Sequence, residues 1–361
     1  MMQTLADWVR QDPLRQQGMT LVLAAVGALV FWLLDMPLPF LFGPLAACLV
    51  GALAGAPLKG TKGLSQAMRT ILGVAIGASV TPAVIANLPQ MAASVALVPI
   101  YIAVIALVGV PFFRKVYRFD GATAWYAAMP GGLQDMVLFG QEAGADTRAL
   151  SLIHATRVMI IITLAPIILT QFFGATLDNP IGAPAVSLPL HELLLMVFAA
   201  IAGWKIAERI GMFGAAILGP MIVAGILSVT DIIHHRPPAE AILAAQFFIG
   251  ITLGAGYIGV TLSEIRRDVL AGIGFVLMLS VLTVAFSEVV ILAGLAPPVD
   301  AFLAFAPAGQ AEMTVLAIVV GADLGYIVVH HLTRVFLVIT CAPVAARFFG
   351  VTRQGKPPPD E

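Results

Sequence analysis

The amino-acid sequence predicts an all-α polytopic membrane protein built from two related halves, and three observations carry that prediction. Hydrophobic residues make up 60% of the 361 positions and charged residues only 11%, a balance outside the soluble globular range. Apolar runs of helical length recur from Met19 to Ala346 with short loops between them, so no soluble domain fits on either side. The third observation is internal. "MPGGLQDMVLFGQEAGADTRALSLIHATRVMIIITLAP", from Met129 to Pro166, is answered later by "APAGQAEMTVLAIVVGADLGYIVVHHLTRVFLVITCAP".

Laid over each other without a gap, the two stretches share 14 of 37 positions from Pro130 onward. Pro130 falls on Pro307, Gly132 on Gly309, Asp135 on Glu312, and Asp146 on Asp323. His154 falls on His331, Arg157 on Arg334, and Pro166 on Pro343. The matches include His, Arg, Asp and Pro, which chance similarity between apolar segments does not supply. The echo extends upstream, where "FGPL" at Phe42–Leu45 answers "LGPM" at Leu218–Met221, and Gly73 with Gly77 answers Gly250 with Gly254. The chain therefore divides into an N-terminal segment (1–18), a first membrane repeat (19–173), a linker (174–190), a second membrane repeat (191–347) and a polar tail (348–361).

The first eighteen residues mix Asp7, Arg10, Asp12 and Arg15 with Pro13 and lack a continuous apolar core, so they read as an interfacial segment and not as a cleaved signal peptide. Spans are predicted near 19–34, 40–56, 64–80, 92–112 and 149–173 in the first half. Their counterparts lie near 191–204, 212–229, 240–256, 269–294 and 324–346, and segments 121–147 and 301–322 stand apart. Basic residues set the orientation, because Lys and Arg of short loops stay on the cytoplasmic side. Lys59, Lys62 and Arg69 follow the second span, and Arg114, Lys115 and Arg118 follow the fourth. In the second half the bias swaps: Lys205 and Arg209 follow its first span, Arg266 and Arg267 its third, and "APPVD" at Ala296–Asp300 has no positive charge.

The swap follows if each half crosses the membrane five times, so that the second is inserted upside down. With both termini inside and segments 121–147 and 301–322 entering and leaving on one side, 16 of the 19 basic residues lie inside. Six parallel spans per half would instead move Arg148, Lys205, Arg209, Arg266 and Arg267 outside. The inverted arrangement is preferred.

Inverted repeats are a construction of secondary transporters, whose sites lie near the midplane where discontinuous helices supply polar groups. Pro130-Gly131-Gly132 and Pro307-Ala308-Gly309 interrupt a helix by removing a donor and freeing the backbone. Such breaks are tolerated at membrane depth only where protein or an aqueous cavity satisfies them. The restarted helix would point its N–H groups into that cavity. Pro130, Gly131, Gly132, Pro307 and Gly309 are therefore candidate substrate-binding positions.

Asp135 and Glu312 lie in the first turn of the restarted helix. They cap it or carry a coupling cation, and an intramembrane acid costs ~2.5–3.5 kcal/mol on insertion scales. Asp146 and Asp323 precede a helix and fit an N-cap role. His154-x-x-Arg157 and His331-x-x-Arg334 place both side chains on one helical face. Each arginine needs an anion, either Asp135 or Glu312 as a structural partner or the substrate itself. The histidines are read either as packed hydrogen-bonding residues or as proton carriers. Glu288, an acid without a counterpart in the first half, is a further candidate for coupling-ion binding, or a cap. Gly73/Gly77 and Gly250/Gly254 read as close helix packing. The cluster His234-His235-Arg236 reads as solvated, and Cys48 and Cys341 as core residues without a disulfide.

The duplicated "PGG-x-x-[DE]-M … GAD … H-x-x-R … AP" block, with "GP" near the start of each half, resembles the AbrB-type duplicated membrane protein family of bacteria. Its members also carry the labels ammonia monooxygenase and regulator of gene expression, and it is distinct from the small DNA-binding sporulation regulator of the same name. The resemblance covers nearly the whole chain and implies an inner-membrane location. Ala308 and Gln310 depart from the commonest pattern.

Those labels supply rival functions. A metallo-oxygenase needs a ligand cluster: of the six histidines only His154 and His331 are duplicated and membrane-embedded, and with Asp135 and Glu312 they could form a two-His, two-carboxylate site if the halves meet on a pseudo-two-fold axis. A DNA-binding regulator needs a basic patch or recognition module, and neither is present, so any effect on gene expression is indirect. The expected function is an ion- or proton-coupled permease for a small anionic solute, in which Arg157 and Arg334 neutralise the solute and Asp135 and Glu312 carry the cation. No catalytic residue, metal or cofactor is assigned. The expected partners are a solute and the lipid bilayer, with a homodimer as a further option and no direct nucleic acid.

Overall fold

The computed structural model describes residues 8–351 apart from 37, 61, 181 and 213. The interfacial expectation for residues 1–7 and the polar tail over 352–361 lie outside the described residues. Among the described residues the fold is all-helical, with six helices long and apolar enough to cross a membrane.

The first half contains α1 (Pro13–Leu33), α2 (Pro39–Leu53), α3 (Lys62–Gly77), α4 (Pro82–Val95), α5 (Leu97–Pro111), α6 (Gly121–Ala128), α7 (Leu133–Glu142) and α8 (Thr147–Gln171). The second contains α9 (Leu190–Arg209), α10 (Ala215–Val229), α11 (Ala239–Ala255), α12 (Leu270–Leu292), α13 (Pro298–Phe305), α14 (Gln310–Val320) and α15 (Leu324–Phe348). Single π turns occur at Phe112–Val116, after α5, and at Ile265–Val269, before α12.

Helices overlie the predicted apolar segments, six of them long enough to cross a membrane, with one correction. Residues 81–91, left between the predicted spans 64–80 and 92–112, are helical and not a loop: α4 starts at Pro82, and an apolar helical stretch runs from Val84 to Val116. Proline at a first helical position lacks only an N–H that would be orphaned anyway. Pro89 sits inside the helix, where neighbouring groups can re-satisfy the freed carbonyl.

The chain forms two compact units, and neither coincides with a repeat. The first takes the chain up to Pro89, Pro166–Val260 and Ala311–Val328; the second takes Gln90–Ala165, Thr261–Gln310 and the chain from Val329 onward. Each draws on both halves.

In the first unit the pairs α1/α2, α2/α11, α3/α10 and α9/α10 pack together. Glycines set how closely they approach. A side-chain carbon at Gly73 would collide with the Ile217 carbonyl and lie 3.1 Å from Pro220 Cβ, and at Gly250 it would collide with the Leu41 carbonyl and lie 3.1 Å from Pro44 Cβ. One turn on, Gly77 meets the Met221 carbonyl and Gly254 the Leu45 carbonyl. The third helix of each half thus packs on the second helix of the other, through matching residues. This is the small-residue approach that lets membrane helices gain van der Waals contact where lipid offers no hydrophobic drive.

The loop after α10 also belongs to the first unit, and its histidines are anchored instead of simply solvated. Glu192, 2% exposed, accepts from the backbone N–H groups of His234 and His235 and contacts both Nδ1 atoms, at 3.2 and 3.0 Å. Cys48 is buried and Cys341 exposed, so only the first is a core residue.

Candidate functional site

The two interrupted segments resolve into short helices separated by a break. The first pair is α6 and α7, with a non-helical stretch Met129–Gly132 between them whose two ends are extended; the second is α13 and the start of α14, interrupted at Ala306–Gly309. A helix end leaves its last carbonyls without intrahelical donors, and a break adds more. Buried in an apolar protein, those carbonyls require partners.

The duplicated H-x-x-R pairs supply them. His154 Nε2 donates to Tyr126 O at 3.0 Å, Arg157 Nη1 to Met129 O at 3.2 Å and Arg157 Nη2 to Gly131 O at 2.7 Å. In the second half His331 Nε2 donates to Leu303 O at 2.9 Å, Arg334 Nη1 to Ala306 O at 2.7 Å and Arg334 Nη2 to Ala308 O at 2.8 Å. The i, i+3 spacing puts both side chains on one face of α8 or α15, where they reach the last turn of the preceding short helix and the break beyond it. A carbonyl only accepts, so each Nε2 carries the hydrogen. His154 Nδ1 and His331 Nδ1 are buried without a hydrogen-bond partner, which fits neutral rings.

Arg157 is 1% exposed and Arg334 3%. Each guanidinium sits at the negative end of a short helix, where a cation is favoured, and its planar fork meets two backbone acceptors at once. The anion expected from sequence thus has a companion that residue patterns do not display: the broken backbone itself. Ala308 differs from Gly131 in side chain, yet its carbonyl accepts the same bond. Gly131 has its own reason to be glycine, because a Cβ there would lie 2.9 Å from Met136 Sδ and 3.0 Å from Val338 Cγ1.

The acids occupy different settings. Asp135 is half-buried in the first turn of α7, and a side-chain carbon at Gly132, the N-cap, would collide with its carboxylate. The acid therefore lies over the N-terminus of α7. Glu312 is buried in the first turn of α14, within the first unit. Asp146 Oδ1 accepts from Ala149 N and Asp323 Oδ1 from Tyr326 N, both at 3.0 Å, the geometry of N-caps on α8 and α15. Glu288 lies on the exposed face of α12 beside Val284 and Val289, while its neighbour Ser287 is buried and donates to Ala301 O at 3.3 Å.

Several groups around the breaks carry no repeat signal and escape sequence reasoning. Tyr101 on α5 shares a 3.0 Å hydrogen bond with Thr283 on α12, and its ring packs edge-on against Phe305 at 5.5 Å. His330, next to the duplicated His331, lies 3.0 Å from Ser94 Oγ. Trp125 Nε1 donates to Ala342 O at 3.2 Å, joining α6 of the first half to α15 of the second. Among the described residues no group of three or more His, Cys, Asp or Glu is arranged to hold a metal ion.

A family profile described as "Transition state regulatory protein AbrB" matches residues 40–350. The chain belongs to the AbrB family. It is 24% identical over 350 residues to a protein of Escherichia coli (strain K12) named "Putative regulator AbrB", covering 93% of this chain and 97% of that one. It is also 24% identical over 348 residues to YhjN of Bacillus subtilis (strain 168), covering 90% of each. The AbrB match takes in both interrupted segments and both H-x-x-R pairs.

Proposed function

We propose that this AbrB-family protein is a bacterial inner-membrane secondary permease for a small anionic solute, coupled to a proton or another cation. The halves cross the bilayer five times each in opposite directions, with both termini inside. The observation that carries this reading is the pair of interrupted helices, each stapled open by a buried His and Arg. An apolar chain has no structural need of two such breaks, and the polar backbone they present is the material of a transport site.

In this reading the arginines hold the breaks and supply a positive field, while N–H groups at Gly131, Gly132 and Gly309 meet the solute. Pro130 and Pro307 keep the segments from closing into continuous helices. Asp135, in the first turn of α7, and Glu312, in the first turn of α14, each take a coupling cation at their own helix start. The bilayer is the main partner, self-association into a homodimer is compatible with the exposed apolar surfaces, and no direct nucleic-acid contact is involved. The regulatory name of the E. coli relative is accommodated by an indirect effect, through a transported metabolite.

The test is a thermal-shift screen of purified protein against small carboxylates, amines and metal ions, followed by uptake of any hit into liposomes. Stabilisation by a carboxylate, with uptake lost in Arg157→Ala, supports the permease. Stabilisation by a transition metal alone would instead favour the oxygenase label.

A further inference from the structure

The start of α12 carries an acid that the repeat pattern never marks. Asp268 lies in the π turn Ile265–Val269, is 0% exposed, and receives Arg267 Nε on Oδ1 at 2.6 Å. Its other oxygen, Oδ2, is buried without a hydrogen-bond partner. An ionised carboxylate has two accepting oxygens, and leaving one in a dry interior without a donor is costly.

Neighbouring acids draw on the same arginines. Arg267 is shared, since its Nη2 also binds Asp146 Oδ2 at 3.0 Å, and Arg148 Nε is held by Glu264 Oε1 at 2.8 Å. In these ion pairs of the described residues, Asp146, Glu264 and Asp268 draw on Arg148 and Arg267. Asp120 lies behind Asp146, linked through Thr123, whose Oγ1 donates to Asp120 and accepts from Asp146 N. The Phe119 ring lies 5.1 Å from the Arg267 guanidinium.

We propose that Asp268 is a proton-binding site, and that its occupancy sets how tightly Arg267 ties the start of α12 to Asp146, the N-cap of α8. A proton fits where a metal cation does not, because a hard cation takes several oxygen ligands, and among the described residues no group of three or more His, Cys, Asp or Glu is arranged to hold one. With Asp268 neutral, Arg267 is left to Asp146. With Asp268 ionised, it is divided between them, and the tie to the helix carrying His154 and Arg157 loosens. Single π turns are frequent at functional positions. The permease reading makes this a coupling proton, and the link to transport rests on that reading; the protonation itself does not.

The experiment is pH-difference infrared spectroscopy of the full chain in liposomes. A C=O stretching band of a buried protonated carboxyl should titrate in the wild type, vanish in Asp268→Asn and persist, displaced, in Asp268→Glu. Arg267→Gln should move the titration to higher pH by removing the cation that favours the ionised form. An identical band in wild type and folded Asp268→Asn overturns the proposal. So does an unmoved titration in Arg267→Gln, which serves if the Asn variant does not fold. A titrating Asp268 in a protein that no small solute stabilises, and that transports none, would sink the permease and leave the proton site standing.

Discussion

Arg157 and Arg334 make the same pair of bonds in two different halves of the chain: each places one guanidinium nitrogen on the carbonyl 28 residues before it and the other on the carbonyl 26 before it. The repeated charges are there because two helices are broken in the same way, and each break leaves carbonyls that an apolar interior cannot satisfy.

Removing either fork exposes that dependence. Arg157→Ala and Arg334→Ala should each destabilise the protein by about 1–3 kcal/mol for each of the two carbonyls left without a donor. Lysine should not rescue, because a single ammonium lacks the planar fork. Melting temperatures in detergent check this, and an unshifted melting point in both Ala variants would mean that the bonds are incidental.

Glycine positions should separate into two grades. Gly73→Ala and Gly250→Ala push a methyl against a backbone carbonyl, which cannot yield without moving a helix, so a loss of about 1–3 kcal/mol and reduced folded yield are expected. Gly131→Ala meets chiefly the flexible end of Met136 and should cost less. Ranking the three by thermal melting tests the helix-packing role assigned to the first two.

Glu192 gives a pH prediction. Its hydrogen bond to His234, with Asp231 close by, holds that imidazole above its ordinary range. A folded-state value raised above the unfolded ~6.5 contributes stability that is complete below ~6.5 and lost as pH rises through the folded value. The melting-temperature gap between wild type and Glu192→Gln should therefore narrow as pH rises above neutrality. A gap that widens on that side would contradict the pairing.

Much of the candidate site is legible in the amino-acid sequence, since the duplication of His154, Arg157 and the proline–glycine breaks needs only the chain laid over itself. What residue patterns could not reveal is what the arginines touch. An intramembrane cation directs attention to acids, and backbone carbonyls leave no mark in a sequence. The helix over 82–95 was hidden by Pro82 and Pro89, which read as loop punctuation although one stands at a helix start. Asp268 and Glu192 were hidden for the opposite reason: single acids near span ends look solvated, and only the fold shows them buried.

The claim beneath the transport reading is that the two halves cross the bilayer in opposite directions. In a Cys48→Ala, Cys341→Ser background, Lys115→Cys and Pro297→Cys can be probed in intact cells with a membrane-impermeant thiol reagent. Labelling at 297 and protection at 115 is the result expected of inverted halves; the same outcome at both positions would contradict it.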